Sequence, residues 1–178
     1  MPRHIKRLKR HEVGGHARYL TFSCFHRLPL FENPRIRDAF ADQLFLARSR
    51  LGFKLLAWVV MPEHVHVLVL PDPPRVTVSA VLMAVKRPLS AKVLERWREL
   101  DAPILERVRD GSGRERFWQA GGGYDRNVFS AEEVFEKIRY IHENPVRRGL
   151  VGREEEWEWS SARALRGLGT RWGEIDRV

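Results

Sequence analysis

An α+β fold of the ferredoxin-like, split-βαβ type is predicted by three observations. The elements run strand, helix, strand, strand, helix, strand, helix; the strand segments are rich in aromatic and β-branched residues; and the segments between them repeat apolar residues at helical spacing. In this sandwich an antiparallel sheet carries helices on one face, and a further C-terminal helix bearing a tyrosine is expected here. With 178 residues, 43% of them hydrophobic, the chain can bury one ordinary core. The expected organisation is a basic arm over 1–16, one domain over 17–165 and a tail over 166–178.

The arm carries Arg3, Lys6, Arg7, Lys9 and Arg10 ahead of Gly14-Gly15. Such a run is either a disordered tail or a strip laid along phosphates. Tyr19 to Phe25 reads as the first strand. Asn33 is a plausible N-cap with Pro34 at the first helical position, and Ile36, Phe40, Leu44, Ala47 and Leu51 keep helical spacing up to Gly52. Phe53 to Val60 and His64 to Leu70 are the second and third strands, joined tightly by Met61-Pro62-Glu63. A second helix is predicted from about Thr77 toward Leu100, kinked or split at Pro88. Arg116 to Gln119 is the candidate fourth strand, followed by Gly121-Gly122-Gly123. The last helix starts at Ser130, with Glu133 as capping-box partner, and is expected to stop near Glu143 because Pro145 biases Asn144 away from helix.

Thirty-two Lys and Arg against 23 Asp and Glu leave a formal charge of +9, so an acidic partner is expected, nucleic acid first. Cys24 is the only cysteine, which excludes an intrachain disulfide framework. No apolar run of signal-peptide type follows the basic start, and no stretch reaches membrane-spanning length. The expected location is the cytoplasm, on the nucleoid when bound to DNA.

Side chains of a strand alternate between faces, so His64 and His66 project together while Val65 packs on the opposite side. Paired imidazoles suit a metal site, although two half-exposed strand histidines need no role. On the last helix Ala131, Val134, Phe135, Ile138 and Ile141 form the apolar stripe. Tyr140 lies off it, on the side of Glu136, Lys137 and Asn144, where its hydroxyl can meet a substrate. The Asn144 oxygen can join the histidines around a hard cation such as Mg²⁺ or Mn²⁺. Plain packing for Tyr140 and plain capping for Asn144 remain open on these grounds.

The ordered motifs Met61-Pro62-Glu63-His64-Val65-His66, Phe117-Trp118-Gln119, Gly123-Tyr124-Asp125-Arg126, Arg139-Tyr140-Ile141-His142-Glu143-Asn144-Pro145-Val146 and Trp157-Glu158-Trp159-Ser160-Ser161 resemble the REP-associated tyrosine transposases, single-tyrosine HUH transposases of insertion-sequence type. The resemblance spans roughly Tyr19 to Ala164. It implies that His64 and His66 bind a divalent metal, Mg or Mn, that Tyr140 attacks DNA, and that Asn144 stands in the place of a polar third ligand, where relatives more often carry Gln. Glu63 stands where Asn is common. Tyr124 is the alternative nucleophile, disfavoured here because three glycines would position it poorly.

The resemblance further implies cleavage and rejoining of single-stranded DNA at hairpin, palindromic-repeat sites through a 5′-phosphotyrosine intermediate. The protein would act as a monomer or a homodimer. Arg147 and Arg148, with the basic arm, are the expected grips on the hairpin. The tryptophans suit base stacking, but Trp157 and Trp159 are better explained as packing a C-terminal segment onto the domain. The competing readings are a non-catalytic regulator that binds DNA or RNA hairpins, and a metal-dependent phosphoesterase whose nucleophile is water.

Overall fold

The computed structural model describes residues 14–121 and 123–177; Arg3, Lys6, Arg7, Lys9 and Arg10 of the arm lie outside them. The elements are β1 (Ala17–Ser23), α1 (Pro34–Leu51), β2 (Lys54–Val60), β3 (His64–Leu70), α2 (Val78–Glu99), the one-turn α3 (Ile104–Arg107), β4 (Tyr124–Val128), α4 (Ala131–Arg147) and the short α5 (Ala162–Leu165). The strands form one antiparallel sheet in the order β2-β3-β1-β4, the interleaved topology expected of a split-βαβ fold.

Strand alternation divides the interior in two. Leu20, Phe22, Trp58, Val60, Val65, Val67 and Val69 point into a core with Phe40 and Leu44 of α1 and Val81, Val85 and Leu89 of α2. Ala17, Tyr19, Leu56, Val59 and Leu68 meet Val134, Ile138 and Ile141 of α4 on the other face. The tyrosine-bearing helix therefore lies on the same face as the side chains of His64 and His66.

Local signals in the sequence set most helix ends. Asn33 accepts a hydrogen bond from the Arg35 amide at 3.0 Å, and Gly52 closes α1 at φ +77°. Thr77 caps α2 by accepting from the Ala80 amide at 3.1 Å. Pro88 does not split α2 as expected. Proline deprives the carbonyl four residues earlier of its donor, and that carbonyl, of Ala84, instead accepts from Gln43 Nε2 of α1 at 2.7 Å.

Three further expectations are corrected. The final helix passes through Pro145 to Arg147. Burial of Ile141, His142, Asn144 and Pro145 keeps that last turn helical, and the Arg148 amide closes it onto the Asn144 carbonyl at 3.1 Å. Phe135 is not on the apolar stripe but 61% exposed. The fourth strand is Tyr124–Val128 rather than Arg116–Gln119. Phe117 and Trp118 enter the core from a loop, with Trp118 making only an isolated bridge to Cys24. The polar sequence of β4 pairs with β1 because the guanidinium of Arg18 is held by both Asp125 and Asn127, with Arg18 Nε 2.9 Å from Asp125 Oδ1.

The C-terminal segment covers the outer edge of β2. The Val60 amide donates to Trp159 O at 2.9 Å, the Ser161 amide to Trp58 O at 3.0 Å, and the Asp176 amide to Leu55 O at 2.8 Å. Trp157 Nε1 donates to Val60 O at 3.0 Å, and the Arg37 guanidinium stacks over both Trp157 and Trp159. These tryptophans thus hold the segment on the domain, as expected. No helix among the described residues is long and apolar enough to cross a membrane.

Candidate active site on the sheet face beneath the last helix

His64 and His66 leave β3 on one face, and their Nε2 atoms lie 2.9 Å apart. Each ring is held from behind through Nδ1. His64 Nδ1 is 3.1 Å from Glu63 Oε1. His66 Nδ1 is 2.7 Å from the Tyr19 hydroxyl and 2.8 Å from Thr21 Oγ1. Both hydroxyls come from β1, where Thr21 pairs directly with His66 and Tyr19 lies two residues along on the same face.

Burial drives the His66 pKa down to about 3, reinforced by the neighbouring His64. Burial also lowers His64, with Glu63 opposing the shift. Both rings are therefore neutral at neutral pH. A carboxylate beside His64 Nδ1 requires the proton on that nitrogen, which turns the Nε2 lone pair toward His66. A lone pair in this position is satisfied by a single proton or a single cation.

Three tyrosines surround the pair, and they are the only tyrosines in the chain. The Tyr140 ring is edge-on to His66 at 5.7 Å between centroids and to Tyr19 at 6.2 Å. Among the described rings Tyr124 meets Tyr19 alone, at 6.0 Å. Tyr19 is buried, which pushes its hydroxyl up to about 12, and its oxygen is engaged by His66; it is a positioning group and not an attacking one. Tyr140 is 38% exposed and Tyr124 55% exposed. Tyr124 is not left adrift by the glycines before it, as expected from the sequence, but is the first residue of β4, opposite Thr21. What separates the two tyrosines is the histidines: Tyr140 touches His66 and Tyr124 does not.

Asn144, one turn after Tyr140, is buried; its Nδ2 donates to Tyr140 O at 2.7 Å, and its amide lies close enough to His66 to oppose the lowering of that ring's pKa. Among the described residues no group of three His, Cys, Asp or Glu is placed to hold a metal, and the Asn144 amide is a further polar group beside the histidines that could serve as a donor. The donor set fits a cation of the Mg²⁺ or Mn²⁺ class. Two nitrogens 2.9 Å apart match adjacent corners of an octahedron with bonds of about 2.1 Å, and an amide oxygen suits the same hard ion.

Glu63 and Arg148 complete the surroundings. The buried Glu63 carboxylate accepts from Arg148 Nη1 at 2.8 Å, with Arg27 Nη2 at 3.7 Å. Burial alone would raise its pKa, but the hydrogen bonds from Arg148 and His64 and the charge of Arg148 hold it below the usual carboxylate range. Arg147 stands over the Tyr140 ring, 5.4 Å from its centroid. Tyr19, Thr21 and the pairing of Arg148 with Glu63 carry no local signal in the sequence. Only the β1–β3 register brings the first two to His66.

The family model described as "Transposase IS200 like" matches residues 16–144. A curated protein, the REP-associated tyrosine transposase of Escherichia coli (strain K12), is 26% identical over 110 residues, which is 61% of this chain and 54% of that protein. The chain thus aligns with about half the length of that relative. A solved structure of a REP-associated tyrosine transposase bound to a REP hairpin superposes with a TM-score of 0.60 at 21% identity, covering 98% of this chain and 99% of the other. At that identity the likeness shows the fold.

Proposed function

We propose, on the premise that this chain belongs to the IS200-like transposase family, that it cleaves and rejoins single-stranded DNA at hairpin sites with Tyr140 as nucleophile. The observation that carries this reading is the meeting of Tyr140 with His66, rings 5.7 Å apart, on the face where His64 and Asn144 converge.

His64, His66 and Asn144 are the residues that would hold a divalent cation, Mg or Mn. When bound, that ion draws charge from a non-bridging phosphate oxygen and so makes the phosphorus a better electrophile. Tyr19 and Thr21 fix the His66 ring, and Glu63 fixes His64, so that both Nε2 atoms face one point. The Tyr140 oxygen forms its bond to phosphorus as the bond to the 3′ oxygen breaks. The phenol proton ends on the departing 3′-hydroxyl, directly or through solvent, and the 5′ end remains as phosphotyrosine. A 3′-hydroxyl attacking that phosphotyrosine reverses the step and rejoins strands without an outside energy source. Arg147, beside the ring, supplies positive charge where the phosphate must lie. The arm residues Arg3, Lys6, Arg7, Lys9 and Arg10 are the proposed grips on the hairpin phosphates.

The test is to incubate the protein with single-stranded hairpin oligonucleotides and Mn²⁺ and look for a denaturation-resistant protein–DNA adduct. The adduct is expected with the native chain and with Tyr124→Phe, and is expected to vanish with Tyr140→Phe or on addition of EDTA. An adduct that follows Tyr124 overturns the nucleophile assignment. Tight hairpin binding without any adduct overturns the enzymatic reading in favour of a hairpin-binding regulator.

A further inference from the structure

The Glu63 carboxylate touches two parts of the site that are far apart in sequence. Its Oε1 accepts both from His64 and from Arg148, the residue that caps the C-terminal end of α4. The helix so capped carries Tyr140 and Asn144. Glu63 is held in turn by its backbone, since the Cys24 amide donates to Glu63 O at 2.9 Å and the Phe31 amide to Pro62 O at 2.9 Å. The carboxylate is thus a fixed post on the sheet, while Arg148 lies on the piece that brings the nucleophile.

We propose that Glu63 is a positioning residue with two functions: it orients His64 for its cation, and through Arg148 it fastens the tyrosine helix beside the histidines of its own chain. This rests on the proposed function and adds to the hold of Glu63 on His64 a second role, in docking the helix that carries Tyr140. It also changes the role expected for Arg148. The guanidinium is half-exposed, yet its Nη1 is committed to a buried carboxylate at 2.8 Å, a shorter and stronger contact than a solvent-facing phosphate grip needs in the absence of DNA. A fixed helix end matters because a nucleophile displaced by about 1 Å loses rate on the order of 10²-fold.

The experiment compares the full chain carrying Glu63→Gln, Arg148→Met, Arg148→Lys or both Glu63→Gln and Arg148→Met. Four readouts are taken: Mn²⁺ affinity by EPR titration, amide hydrogen exchange over the last turn of α4, hairpin affinity against salt, and adduct formation rate. Glu63→Gln is expected to weaken Mn²⁺ binding by roughly 10- to 100-fold, the usual effect of losing a partner of a metal-bound histidine. Arg148→Met is expected to leave Mn²⁺ binding nearly unchanged, to speed exchange at the helix end, and to slow adduct formation about tenfold or more. Arg148→Lys should restore part of both. The double variant should fall short of the sum of the two losses in helix-end protection, because both changes break one bond.

Unchanged Mn²⁺ affinity in Glu63→Gln, or unchanged helix-end exchange in Arg148→Met, overturns the proposal. So does a fall in hairpin affinity in Arg148→Met with a salt slope reduced by about 1, the signature of a lost phosphate contact. If the native chain forms no adduct, the proposed function fails while metal binding and hydrogen exchange still decide the role of Glu63. Thermal melting identifies a variant that has merely unfolded, and Arg148→Lys then carries the test.

Discussion

At the residue scale, position 123 has no room for any side chain. Gly123 has φ +72°, and a Cβ there would overlap the Thr21 carbonyl oxygen and lie 3.1 Å from Thr21 C and 3.2 Å from Phe22 Cα. All three neighbours are backbone of β1, so none can turn aside. Gly123→Ala is expected to destabilise the fold by about 1–3 kcal/mol, measured by urea denaturation, and to loosen β4 where Tyr124 begins it. A stability equal to that of the native chain would show that β4 can re-seat without cost. The same tight approach seats Tyr124 as the first residue of β4, opposite Thr21. The glycine that looked like slack is the residue that lets the two strands come together.

At the scale of elements, α2 illustrates how a locally unfavourable residue is tolerated by a neighbour. Pro88 leaves the Ala84 carbonyl without its helical donor, and Gln43 of α1 provides one at 2.7 Å. Replacing Gln43 with Leu removes that donor and keeps the bulk. The expected cost is about 1–3 kcal/mol, the penalty of a part-buried carbonyl left unsatisfied, together with a kink at Pro88 visible as faster amide exchange in α2. If Gln43→Leu melts like the native chain, water reaches the carbonyl and the helix owes its continuity to packing alone. For α4 the corresponding device is different. Its last turn survives Pro145 because the buried side of that turn packs against the sheet, and because Arg148 closes it.

At the scale of the whole molecule, the exposed edge of β2 is sealed by residues from the C-terminal segment, which removes a row of unpaired amides and carbonyls from solvent. The same segment touches α4, since His142 Nε2 lies 2.7 Å from Ser161 Oγ, and Ser161 Oγ also accepts from the Trp58 amide at 2.9 Å. Sheet edge, α4 and C-terminal segment therefore share one buried junction. Trp157, buried with its indole N–H on Val60 O, is one of the side chains that anchor the segment. Trp157→Ala is expected to cost about 3–5 kcal/mol, followed by guanidinium denaturation, and to increase aggregation as the β2 edge opens. A loss below about 1 kcal/mol would mean that the segment is held mainly by its backbone pairing.

The sequence by itself determined the elements whose signals are local: α1 between Asn33 and Gly52, α2 from Thr77, the start of α4 at Ser130, and the third strand with His64 and His66 on one face. Caps and alternation act over a few residues, so they are readable without the rest of the chain. Tertiary structure alone decided the location of β4, the continuity of α4 through Pro145, the two hydroxyls on His66 and the carboxylate shared by His64 and Arg148. Each of these depends on a partner distant in sequence. Such a partner is fixed only when strand register and helix docking bury both groups together, where an unpaired polar atom is costly and a paired one sets the geometry.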